Sequence, residues 1–268
     1  MENGKDHDSF ISLSDIYTDS LSIPPEIIAK QKSLSFDELK HFELPATYRE
    51  KLLKGTKLKE NDTLYLYNYE SNILEKFPIK DLKAVANLNI YTSEGEEISE
   101  YDYMIGFQLN KTKGKDYYTL AYFGNQNPFS EKPLKSIEWK KISADKFPVK
   151  TQHKTLKTGN VYHYQTEDLE YFIQDFMGEN EALEKKLAVL KSGKLIFDKT
   201  YTRGEGAEFT TLEGIETSEY PVYQWTGNLF KGKPPVIFKF VSESFGCSEI
   251  TFLDRSYPAL YTNCDNRH

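Results

Sequence analysis

From Asp62 onward, apolar side chains recur at every second position. Leu64 and Leu66 alternate with Tyr65, Tyr67 and Tyr69, which predicts a half-buried β-strand. The same period predicts strands over 86–92, 101–109, 116–123 and 135–142. Lys111-Thr-Lys-Gly-Lys115 reads as a hairpin turn between two of them, and 124–133 as a long surface loop. Later strands are expected at 160–165, 208–212, 220–226, 235–242, 249–254 and 259–263. Residues 167–178 carry two signals. Leu169, Phe172, Ile173 and Phe176 have helical spacing, yet the neighbouring segments read as sheet, so helix and strand both stay open there. Between 186 and 200 the run Leu187–Lys191, then Ser192-Gly193, then Lys194–Asp198 predicts a hairpin whose turn carries the glycine it needs.

Helical patterns are confined to the first fifth of the chain. Ser35-Phe-Asp-Glu38 and Thr47-Tyr-Arg-Glu50 both fit the capping box, in which a hydroxyl and a carboxylate satisfy each other's backbone donors. Gly55 stands where a left-handed helix cap is expected, and Pro24-Pro25 precedes a short helix over 26–30. The fold class is therefore mainly β, with antiparallel sheets forming a sandwich or barrel and a few short helices near the N-terminus.

The content of 19 Tyr and 17 Phe strengthens that reading, because rings suit pleated, half-buried surfaces and supply a real core. In the stretch 139–159, Lys140, Lys141, Lys146, Lys150, Lys154 and Lys157 face one acid, Asp145. The expected organisation is a polar tail (1–20), a β-rich domain with the short helices (21–145), a basic linker or crossover (146–158) and a C-terminal β domain (159–268). One continuous domain is the alternative.

The net charge of −7 argues against an electrostatic grip on nucleic acid and points to a basic protein as partner. No apolar run reaches the roughly 20 residues needed to span a bilayer. The polar start, Glu2-Asn-Gly-Lys-Asp-His-Asp8, is not a signal peptide; it suits a tether or the mature end of a processed chain, including one that lost a lipid anchor.

Cys247 and Cys264 bracket the last predicted hairpin. If that hairpin is centred between Arg255 and Ser256, the two stand directly opposite each other, at a separation compatible with a disulfide. Such a bond implies an oxidising compartment, hence a periplasmic, envelope-anchored or secreted protein. It would also rule out a thiolate dyad of Cys264 with His268. No nucleophile elbow, zinc-helix motif or phosphate loop is present, and no cofactor or metal is expected. His163 and Glu167 would share a face only if their segment were helical, and sequence places no third ligand beside them.

The stretch 204–230 is the most unusual. Glu205, Glu208, Glu213, Glu216 and Glu219 occur before Lys231 with no Lys or Arg among them, followed closely by Tyr220, Tyr223, Trp225 and Phe230. Carboxylates can steer a cationic partner while rings supply desolvated contact, so Glu205, Glu208, Glu213, Glu216, Glu219, Tyr220, Tyr223 and Trp225 form the candidate docking face. A second acidic cluster is Glu94, Glu96, Glu97, Glu100 and Asp102, beside Tyr101 and Tyr103. The expected function is a non-catalytic extracytoplasmic binding protein, such as an inhibitor or a toxin-neutralising immunity protein. The alternatives are a cell-surface carbohydrate-active hydrolase working through carboxylates, and a structural envelope lipoprotein.

Overall fold

The computed structural model describes residues 9–14, 23–109, 118–150, 153–244 and 246–263, and the chain forms two compact units that divide between Pro128 and Phe129. That division falls inside the loop 124–133. The basic stretch 146–158 falls within the residues of the second unit.

The first unit contains β1 (Ser9–Ser12), α1 (Pro25–Lys30), α2 (Phe36–Lys40), β2 (His41–Glu43) and α3 (Ala46–Thr56). It continues with β3 (Thr63–Asn68), β4 (Ile73–Pro78), β5 (Lys83–Leu88), β6 (Tyr103–Leu109) and β7 (Thr119–Gly124). Local chemistry explains the helices. Pro25 takes the first helical position of α1, where its missing N–H costs nothing. Ser35 caps α2 with the full capping box: the Glu38 amide donates to Ser35 Oγ (3.3 Å) and the Ser35 amide to Glu38 Oε2 (2.8 Å). The expected cap at Thr47 does not form. Pro45, whose φ is already pre-set, starts α3 two residues earlier and leaves Thr47 inside the helix. Gly55 likewise lies within the last turn, and Lys57 takes the left-handed position with φ 60°.

All strands of this unit pair antiparallel, in the orders β1-β6-β5-β2 and β4-β3-β7. β6 and β7 therefore lie in different sheets and do not form a hairpin; the turn expected to join them, 111–115, lies outside the described residues. β1 runs so close to β6 that a Cβ on Gly106 would sit 1.9 Å from the Ile11 carbonyl oxygen. β3 differs from its expected half-burial. Leu64 and Leu66 face the core, yet Tyr65 and Tyr67 are buried as well, so both faces are covered. Arg49 of α3 ties the helix to the following turn by donating to the carbonyls of Ile79 (2.7 Å) and Leu82 (2.5 Å).

The second unit begins with β8 (Lys135–Ser136) and β9 (Lys140–Ile142), followed by the long strands β10 (Lys157–Gln165), β11 (Leu169–Met177), β12 (Ala182–Lys191) and β13 (Lys194–Thr202). Short strands complete it: β14 (Ala207–Phe209), β15 (Trp225–Gly227), β16 (Val236–Phe238), β17 (Val241–Glu243), β18 (Glu249–Phe252) and β19 (Leu260–Tyr261). One sheet is the meander β13-β12-β11-β10-β9, another runs β19-β18-β16-β15-β8, and β14 pairs with β17. The two large sheets share a core that includes Ile137, Tyr171, Ile173, Leu187, Val189, Ile237 and Leu253. A hydrogen bond of 2.9 Å between Tyr171 Oη and Thr226 Oγ1 crosses it.

Residues 169–177 are strand. The spacing that looked helical arises because both faces are buried, Tyr171 and Ile173 inward, Phe172 against Ile142, Phe147 and Val149 on the other side. The strand expected over 135–142 is broken into β8 and β9, which belong to different sheets; Ile137 and Trp139, both almost fully buried, turn the chain from one to the other. The Ser192-Gly193 hairpin forms as expected, with φ of 50° and 75° at its two turn residues.

The final hairpin is offset by one residue from expectation. Glu249 opposes Tyr261 and Ile250 opposes Leu260, so continuation of this register sets Cys247 opposite Asn263. Cys264 itself lies outside the described residues, as does His268.

Candidate functional site

The stretch 204–230 does not act as one acidic face. Glu208 is neutralised by Arg203, whose Nε lies 2.6 Å from its carboxylate and which also pairs with Glu181. Glu213 is half-buried and its backbone carbonyl accepts from the Trp139 amide at 2.8 Å; Glu216 is exposed, but its carboxylate accepts from the Leu212 amide at 2.8 Å. Glu205 and Glu219 are exposed. Of the rings, Tyr220 is 81% exposed, Tyr223 is half-buried and Trp225 is only 8% exposed. Trp225 sits in β15 opposite Ser136 and Phe238, which places it in the core and not on a contact surface. Trp225→Ala is thus expected to lower the stability of this unit by about 3 kcal/mol. A thermal melt unchanged from wild type would refute that placement.

The second acidic cluster displays rings and carboxylates together on the surface. Residues 89–102 form a loop whose ends are joined, the Asn89 amide donating to the Asp102 carbonyl at 2.7 Å, as in a compact Ω-loop. The loop is pinned from within. Ile98 is 3% exposed, and the Gln31 side chain both donates to its carbonyl (3.0 Å) and accepts from its amide (2.9 Å). Ser93 and Asn89 close local turns, and Ser99 and Asp102 form a capping box. On this fixed frame Ile90 (83% exposed), Tyr91 (63%) and Tyr101 (79%) stand among exposed Glu94, Glu96, Glu97 and Glu100. The loop contains no Lys or Arg. Tyr103 does not join them; it is fully buried, and its hydroxyl donates to the Leu39 carbonyl at 2.9 Å.

A cluster that sequence reading missed lies on the inner face of the meander. Strand register sets Asp175 beside Lys185 and Lys185 beside Tyr201. Lys185 Nζ lies 2.8 Å from Asp175 Oδ1, with both side chains about 5% exposed, and 5.2 Å from the centre of the Phe209 ring. Next to them Lys199 pairs with Glu249, whose carboxylate also accepts from Thr251 Oγ1 at 2.8 Å. Burial, and secondarily the Asp175 carboxylate, push the Tyr162 phenol up to about 12. Burial pushes Tyr201 higher still, reinforced by Glu249. The signal was present as alternation along β12 and β13, but it required knowing that 169–177 was strand and which face turned inward.

The opposite end of the same sheet opens into a cavity of about 410 Å³. Leu169, Ile196 and Leu253 form its apolar wall, and Asp168, Lys191 and Asp254 its polar edge. Ser256 donates to Asp254 through its hydroxyl (2.7 Å) and its amide (2.9 Å), holding that carboxyl below the usual range.

His153 and His163 both contact the meander sheet. His163 lies on β10 with its ring 4.6 Å from Phe172, and its Nε2 approaches Glu170 (3.7 Å). His153 Nδ1 accepts the amides of Leu156 (2.9 Å) and Thr155 (3.2 Å), which assigns the ring proton to Nε2, facing Glu184 at 3.4 Å. Among the described residues no group of three or more His, Cys, Asp or Glu is arranged to hold a metal ion. Nor is any helix among them long and apolar enough to cross a membrane. The chain matches no protein-family model, no curated protein and no solved structure.

Proposed function

We propose that this is a non-catalytic extracytoplasmic binding protein that captures a basic protein, in the manner of an inhibitor or immunity protein. The observation that carries the reading is the pinned loop 89–102, which presents Ile90, Tyr91 and Tyr101 among four exposed glutamates. A pre-formed loop loses little conformational freedom on binding, exposed rings supply contact area, and surrounding carboxylates speed encounter with a cationic surface. On the second unit, Tyr220 with Glu216 and Glu219 has the same chemistry on a smaller scale.

The test is a photo-crosslinker installed at Tyr101, with host proteins captured and identified by mass spectrometry, and kinetics then measured on the purified partner. The partner should be basic. Glu94, Glu96 and Glu97 changed together to Gln should slow association and flatten its dependence on salt. Tyr91→Ser with Tyr101→Ser should mainly speed dissociation, by about 2 kcal/mol if these are hot spots. An acidic partner, or unchanged kinetics in both folded variants, would sink the reading.

The compartment belongs to the same proposal and rests on a bond between Cys247 and Cys264. The observed register brings Asn263 level with Cys247, so the second cysteine follows one residue later. Intact mass under non-reducing conditions should be lower than the reduced mass by two hydrogens, with no alkylation before reduction. Two freely alkylated thiols would remove the argument for an oxidising compartment.

A further inference from the structure

Lys239 stands out from the other lysines of the second unit by its backbone, its surroundings and its partners. It lies between β16 and β17 with φ 66°, a left-handed conformation that a side chain other than glycine rarely adopts. Thr210 holds the chain there. Its hydroxyl donates to the Lys239 carbonyl, and its amide donates to the Phe240 carbonyl at 3.1 Å. The turned backbone sets Lys239 on a cavity of about 60 Å³ with an apolar side of Tyr201, Phe238, Phe240 and Val241 and a polar side of Glu243, Ser248, Glu249 and Thr251.

Inside it, Nζ donates to Ser248 Oγ at 3.0 Å. Ser248 is itself fixed, because its carbonyl accepts both the amide (3.0 Å) and the hydroxyl (2.9 Å) of Thr262. Glu249 also lines the cavity, but its carboxylate is committed to Lys199 and Thr251. Among the described residues no carboxylate forms an ion pair with Lys239, whereas Lys185 and Lys199 each have one. Desolvation by burial lowers the pKa of the Lys239 ammonium, which favours the free amine.

We propose that Lys239 is a reactive amine that condenses reversibly with a small aldehyde of two or three carbons. The Nζ lone pair attacks the carbonyl carbon and forms the C–N bond, while a proton passes from nitrogen to oxygen to give the carbinolamine. Loss of the hydroxyl with the second nitrogen proton, as water, leaves the imine; no electrons enter or leave. Amine and imine are both neutral, so the reaction places no new charge in a site where burial disfavours one, and the alkyl end of the adduct meets the apolar side of the cavity. The bond from Nζ to Ser248 holds one N–H away from the cavity, so that the lone pair can turn toward it.

Acetaldehyde followed by a borohydride quench tests this on the intact protein, because borohydride reduces the neutral imine to a stable secondary amine that peptide mass spectrometry can locate. At low conversion near neutral pH, Lys239 should be labelled ahead of the exposed lysines Lys191, Lys194 and Lys231. Its labelling should also persist to lower pH than theirs. Unfolding in urea should erase the difference. Ser248→Ala should slow labelling at Lys239 alone, and Lys239→Met should remove that adduct while leaving the others. Labelling of Lys239 together with or after the exposed lysines, a pH profile matching theirs, or no labelling would overturn the proposal.

Discussion

Replacing Lys185 with alanine is expected to destabilise the Phe129–Thr262 unit by about 3–5 kcal/mol, because Asp175 would remain as an uncompensated buried charge. The geometry leaves little room for rescue. Asp175 and Lys185 lie side by side on the inner face of the sheet with both side chains almost fully buried, and the Tyr162 and Phe209 rings flank the ammonium, so a stranded carboxylate has little access to water. Replacing both partners together, Asp175→Leu with Lys185→Met, removes the charge instead of stranding it and should recover most of the loss. Urea unfolding of the three proteins decides this. A single variant that loses less than about 1 kcal/mol would mean that the pair behaves as a surface ion pair.

Alkaline pH should unfold the protein through its tyrosines. Burial pushes the phenols of Tyr103, Tyr162 and Tyr171 each up to about 12, against an ordinary value of 10.0. The folded state keeps these groups neutral while the unfolded chain ionises them near 10. The stabilisation is therefore complete below pH 10 and is lost as pH rises toward 12. At 1.36 kcal/mol per pKa unit, two such groups in the second unit amount to about 5 kcal/mol, comparable to the stability of a whole domain. Tyr69 and Tyr201 are shifted in the same direction. Tyrosinate absorbance and far-ultraviolet circular dichroism should change together, steeply, in that window. Gradual ionisation near pH 10 with the circular dichroism intact at 12 would contradict the burial of these side chains.

How far the chain could be read depended on the range of the interaction concerned. The Ser35 capping box and the Ser192-Gly193 turn are decided within four residues, and both form as expected. Most strands were legible through alternation, but β4 was not anticipated and β11 stayed open because burial on both faces hides the period. Sheet membership was not legible: nothing near Ile137 or Trp139 signals that the chain changes sheets there, and β6 and β7 sit too far from their true partners for local pattern to choose them. The same limit governs the candidate sites. The glutamates of 89–102 were visible, but only the structure separates Tyr101, displayed by a single turn of 3₁₀ helix, from Tyr103, which begins β6 and points into the core. Conversely Trp225 looked available beside acidic residues, and its burial follows from pairing with Ser136, far away in sequence.

The outermost strand of the meander has a bearing on self-association. β13 borders the sheet with nine residues and, among the described residues, pairs on one side only, with β12. Such a border invites a second copy to extend the sheet. Here Lys194, Asp198 and Lys199 interrupt it, and Lys199 is drawn inward to Glu249 while Asp198 answers Lys186 and Arg255. A strand docking alongside would have to accommodate these charges within a new hydrogen-bonded ladder and could not do so without disturbing their partners. The protein should therefore stay dispersed at concentrations where an apolar border of the same length would nucleate fibrils, and neutralising Lys194 and Asp198 together should shorten the lag before thioflavin-positive aggregates form.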